Sequence, residues 1–153
     1  MVTQLIKNST NLYDTDYNLW ILATVKQLEN QKFNEVDWEN LIEEVLDLSK
    51  RDKRKLESLL IKLIEHLLIL QYWQSEKDRN KGHWQKEIIT FRKQIKRLLE
   101  DSPSLNNYLK NKYEKCYQDA REIASQHSQL SLNTFPTEFT ITFENILDEN
   151  WLP

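Results

Sequence analysis

Glycine occurs once in these 153 residues, at Gly82, cysteine once, at Cys116, and proline three times. Hairpins need glycine-bearing turns, and phosphate or dinucleotide loops need several glycines close together. One glycine therefore excludes Walker and Rossmann loops and leaves helices joined by short connections. A lone cysteine builds neither a disulfide framework nor a cysteine-based zinc site. The chain has no run of about 18 apolar residues, and its opening MVTQLIKNST lacks the apolar stretch of a signal peptide. A formal charge of −3 gives no general attraction to nucleic acid or to an acidic membrane surface. These absences predict a cytoplasmic chain with no membrane partner. At this length one domain, 1–153, is expected, large enough to bury a core.

What is present is helical periodicity. Asp37 to Trp73 carries Val45, Leu48, Asp52, Leu56, Leu59, Leu63, His66, Leu70 and Trp73 at steps of three or four. Ile42, Leu46, Leu60, Ile64 and Leu67 widen that stripe. Such spacing predicts a long central helix with one face against a core. Asp37 suits its N-cap, and Glu39, Glu43 and Glu44 suit the positive end of its dipole. The polar run KRDKRK at 50–55 leaves open whether 38–73 is one helix or two. Before it, Asp14 to about Gln31 reads as a first helix, with Tyr17, Trp20, Ile21, Val25 and Leu28 inward and Phe33 tucked in after it. Residues 1–12 read as an arm whose Leu5, Ile6 and Leu12 dock on the body.

Past the long helix, QSEKDRNKG at 74–82 reads as a solvent loop. Trp84, Ile88, Phe91, Ile95 and Leu98 then mark a third helix, and Ser102-Pro103 an N-cap and first turn of a fourth. The fourth runs to about His127, with Leu105, Leu109, Tyr113, Cys116, Ala120 and Ile123 inward. After a loop at 128–136, Phe139, Ile141 and Phe143 alternate as in a strand. A lone strand has no partner here, so an extended piece and one short helix from Thr142 to about Asp148 are expected. The predicted fold is all-α, an irregular up-down bundle of four main helices with a long second helix and a short C-terminal one.

Several segments carry a family resemblance: YDTDYNLW (13–20), WENLIEEVLDL (38–48), LESLLIKLIEHLLILQY (56–72) and GHW (82–84). Ile88, Arg92 and Ile95 lead on to EDSPSL (100–105), then TFP (134–136) and LDENWLP (147–153). In order and spacing the chain from Tyr13 to Pro153 resembles bacterial proteins of the domain of unknown function 29 type. The resemblance implies an all-helical cytoplasmic bacterial protein and no particular activity. Leu70 departs from it: related sequences tend to carry a lysine after the HLL triplet, and any role of that lysine is missing here.

Four constellations bear on chemistry. His66 lies on the apolar stripe, where a neutral imidazole either ligates a metal or acts as a base, or is a core residue bonded to a carboxylate or carbonyl. Asp52 stands fourteen residues before it, about 21 Å along a continuous helix, too far to share one site. The carboxylates Glu39, Glu43, Glu44 and Asp47 include an i, i+4 pair, yet the Glu-x-x-His pairs of carboxylate-bridged metal bundles are absent. No metal and no cofactor is therefore expected. Between Lys77 and Arg97, eight Lys or Arg stand against Asp78 and Glu87, with His83 and Trp84 among them. An aromatic amid cations can stack on a base, while the plainer reading is a solvated face. The five tryptophans supply either core or groove. Nucleophiles fare worse: Ser58 is about 12 Å from His66 along the helix, and Cys116 reads as core.

Macromolecular binding, with protein as the partner, is the leading expectation. It rests on charged faces of opposite sign, surplus tryptophan and no complete catalytic set. The alternative is an enzyme or metal-dependent site centred on His66, with Glu44 or Asp47 and Arg92 or Trp84 from neighbouring helices. A third is nucleic-acid binding through Trp84, Lys86, Arg92, Lys93, Lys96 and Arg97, unless Arg92 points inward. Oligomeric state is not legible.

Overall fold

The computed structural model describes residues 12–153 and is all-α, with no strand among them. Four long helices, α1 (Tyr17–Glu29), α2 (Trp38–Tyr72), α3 (Gln74–Asp101) and α4 (Leu105–Ser128), precede a short α5 (Phe143–Leu147). The question left open at the KRDKRK run is answered: α2 is one continuous helix of 35 residues. By its contacts the chain forms two compact units that divide after Lys50. The expected docking of Leu5 and Ile6 lies outside the described residues.

In the first unit, a helical turn at 12–15 leads into α1. The first helix starts a little later than Asp14: Asp16 caps α1 by accepting from the Leu19 amide at 3.0 Å. A short 3-10 turn, Phe33–Glu35, returns the chain to α2, with Gln31 in the left-handed region at φ 56°. Asp37 holds the start of α2 by accepting from the Asn40 amide at 3.3 Å. Trp20 is buried, with Tyr13 against it edge-on at 4.8 Å and Tyr17 stacked at 5.9 Å. The hydroxyls of Tyr13 and Tyr17 both donate to the Glu44 carboxylate at 2.6 Å, fastening this aromatic group to α2.

This unit departs from the expected burial. Tyr17, Ile21 and Val25 on α1 and Phe33 in the turn are exposed, as are Ile42, Val45, Leu46 and Leu48 on α2. Periodicity reports that a helix has an apolar face, not that something covers it.

In the second unit the remainder of α2 is the core helix: Leu56, Leu60, Leu63, Ile64 and Ile69 have no exposed surface. Ile88 and Ile95 of α3 and Leu109, Cys116 and Ala120 of α4 belong to the same cluster. The expected loop at 74–82 is helical: α3 starts at Gln74 and only Trp73 separates it from α2. Glutamine, lysine, arginine and glutamate are good helix formers, so a solvated turn of helix lacks an apolar stripe without lacking helix. Ser102 closes α3 as its C-cap, and α4 begins two residues later than the Pro103 expectation, at Leu105.

The segment after α4 has no ladder to satisfy its carbonyls, and side chains of the helices do so instead. Arg121 donates to Phe135 O at 3.0 Å and Leu132 O at 3.1 Å, Tyr117 to Pro136 O, and Tyr113 to Ile141 O at 2.6 Å. Arg92 donates from Nε to Ile146 O and from Nη1 to Trp151 O, both at 2.8 Å. Thr142 caps α5 through the Asn145 amide at 3.2 Å, close to the expected start of the tail helix.

Candidate functional site

The second unit gathers most of the residues that could carry chemistry. Glu65, on α2 between Ile64 and His66, is a buried carboxylate. Its Oε1 lies 2.9 Å from Nδ1 of His127, in the last turn of α4. A carboxylate accepts only, so Nδ1 of His127 carries the proton and Nε2 is the nitrogen left for other partners. The His127 side chain is 47% exposed against 11% for Glu65, so the imidazole reaches solvent while its carboxylate anchor does not. Trp73 meets the His127 ring edge-on at 5.5 Å, and Trp84 stacks on Trp73 at 5.5 Å.

His66 is organised differently. Its Nδ1 lies 2.8 Å from the Lys62 carbonyl, which fixes the proton there, and Phe91 packs edge-on at 5.2 Å. Its nearest carboxylate oxygen is Glu65 Oε2, at 4.0 Å. Its hydrogen bond thus goes to backbone rather than to Glu44 or Asp47. Glu44 is held by the two tyrosines, and Asp47 pairs with Lys50 at 3.7 Å. Arg92 does point inward, and it reaches tail carbonyls rather than His66.

Lys86, Lys93, Lys96 and Arg97 are exposed on α3. Trp84 is not: it is 4% exposed and stacked on Trp73, so it cannot present a face to a base. An aromatic inside a basic segment read as a stacking platform, but it falls on the Ile88–Ile95 side of α3 and joins the core.

Cys116 is fully buried, and burial pushes its thiol up to about 11, far from a thiolate at neutral pH. Ser128, adjacent to His127, spends its hydroxyl on the Ala124 carbonyl at 2.7 Å. Among the described residues no group of three His, Cys, Asp or Glu side chains is placed to hold a metal ion. Nor does any helix among them have the length and apolarity to cross a membrane.

Sequence reasoning found His66 and missed His127–Glu65, because the two partners are 62 residues apart. The available hint was Glu65 itself, a carboxylate embedded in the LLIKLIEHLLIL stretch where a buried charge needs a partner.

These features define an all-helical protein with an exposed imidazole on a buried carboxylate and no accompanying nucleophile among the described residues. The chain belongs to the family described as Domain of unknown function DUF29, whose model matches residues 12–152. No curated protein and no solved structure matches it. The family description carries no activity.

Proposed function

We propose that this chain is a cytoplasmic protein-binding module whose first unit docks a basic amphipathic helix of a partner protein. One observation carries the reading. Leu19, Leu22 and Val25 of α1 and Ile42, Val45, Leu46 and Leu48 of α2 are between 45% and 58% exposed. Scattered apolar residues on a surface need no explanation, but seven large ones within thirty positions of a small unit support a docking role for it. Residues 12–50 also carry nine carboxylates against Lys26, Lys32 and Lys50, a net of −6. An apolar face with an acidic surround fits an apolar helix face with basic flanks, the groove mode of helix recognition. Nucleic acid is disfavoured on this surface by its charge, and on α3 by the burial of Trp84.

The test uses a synthetic helical peptide with leucines on one face and lysines on the other, and a control with glutamates for the lysines. Binding is followed by fluorescence anisotropy for the wild type and for Ile42→Asp/Leu46→Asp. The double variant is more acidic yet should bind the basic peptide at least about tenfold more weakly. Equal or tighter binding by the variant would mean that charge alone attracts the peptide, and the proposal fails. Light scattering on the free protein covers the other occupant: a stable dimer lost in the double variant would assign this face to a second copy, also against the proposal.

A further inference from the structure

We infer that a cavity in the second unit, walled by Arg92, Ile95, Lys96, Leu99, Pro103 and Leu147, binds a small carboxylate with an apolar body. Arg92 is 2% exposed, and a charge that deep in a protein is ordinarily paired. No carboxylate lies within 4.0 Å of its guanidinium among the described residues. Asp148 and Glu149 act on it only at longer range. Two of its nitrogens, Nε and Nη1, are committed to the neutral carbonyls of Ile146 and Trp151. The third, Nη2, is buried with no acceptor.

A buried guanidinium thus lacks both a counter-charge and one acceptor, and burial works against its charged form. The cavity that Arg92 lines has a volume of about 370 Å³, within the range of small-ligand sites. Ile95, Leu99, Pro103 and Leu147 make its walls mainly apolar, with Lys96 as a second cation and Glu100 as the lone acid. A carboxylate lodged at the Arg92 end of the cavity supplies the missing counter-charge, and a small shift of the guanidinium would bring Nη2 within reach of it. The hydrocarbon body then fills the remainder against the leucines. Because Arg92 holds the backbone around Ile146 and Trp151, an occupied site would also firm the tail.

This site is independent of the docking surface proposed above, and so is its test. Octanoate is titrated into the full chain with NMR detection of the Arg92 side-chain Nε–H and the Leu99, Asn106 and Leu147 amides. Octanol serves as the neutral control. Saturable shifts confined to these groups with octanoate, and at least about tenfold weaker with octanol, are expected. Equal response to the alcohol, or no saturable shift up to about 5 mM octanoate, would overturn the inference. Arg92→Met should abolish binding but releases the tail contacts and endangers the fold. Leu99→Trp keeps the guanidinium and fills the cavity. It should lose octanoate binding with helix content intact, and octanoate binding to Leu99→Trp at wild-type affinity would equally overturn the site.

Discussion

Nδ1 of His127 stands 2.9 Å from Oε1 of Glu65, joining the last turn of α4 to the C-terminal part of α2. The pair leaves a buried carboxylate whose replacement is asymmetric. Glu65→Ala removes the acceptor and opens space, so it should cost about 1–3 kcal/mol in urea unfolding. Glu65→Gln retains an acceptor oxygen for Nδ1–H and should recover most of that loss. Equal losses for both would show that the contact contributes nothing beyond packing.

The sole glycine offers a cleaner stability test. Gly82 lies inside α3, and a Cβ built there meets nothing within 4 Å. Its backbone freedom in the unfolded chain is then an unopposed cost. Gly82→Ala should stabilise by about 0.5–1 kcal/mol. A loss of stability would mean that the Gly82 backbone does not hold a regular helical conformation in α3.

Legibility in the sequence followed the range of the interaction. The stripe from Leu56 to Leu70 and the Thr142 cap are local patterns, and they appear where spacing and residue type place them. Val45 and Leu48 continue the same stripe yet are exposed, because periodicity is blind to the absence of a covering element. The 74–82 segment was misread for the converse reason, being helix without an apolar face. His127–Glu65 and the Arg92 clamp on Ile146 and Trp151 join residues far apart in the chain, and nothing in either neighbourhood encodes the partner.

Tyr13 gives a pH signature. Its hydrogen bond to Glu44, helped by desolvation and by the Glu44 charge, raises the phenol from 10.0 to about 12. The raised value favours the protonated, folded form, so this contribution is complete below about pH 10, where the unfolded tyrosine titrates. It is lost as pH climbs through about 12. Ultraviolet titration of the wild type minus Tyr13→Phe isolates this phenol. Glu44→Gln should move its midpoint back toward 10, and an unmoved midpoint would mean that the bond is not formed in solution.

Cys116 should be silent in the native state. Burial raises its thiol to about 11 and leaves 1% of the residue exposed, so a disulfide reagent at pH 8 finds neither thiolate nor access. The reagent should react fully in urea and negligibly without it, at a rate set by opening of the core around α4. Rapid native labelling would show that α4 detaches from the core far more readily than a packed helix does.

The last contrast separates core from docking surface on a single helix. Leu46 and Leu60 both lie on α2 in the apolar pattern, with Leu46 57% exposed and Leu60 0%. Truncating Leu60 leaves a cavity in a packed cluster, and Leu60→Ala should cost about 2–5 kcal/mol. Leu46 loses little on truncation, and Leu46→Ala should fall within about 0.5 kcal/mol of wild type in the free protein. Denaturant midpoints with unchanged slopes read both. With a bound basic helical peptide the ranking should alter, because Leu46 then has a partner and its truncation weakens the complex. A large cost for Leu46→Ala in the free protein would mean that this face is already covered, which would remove the basis for docking there.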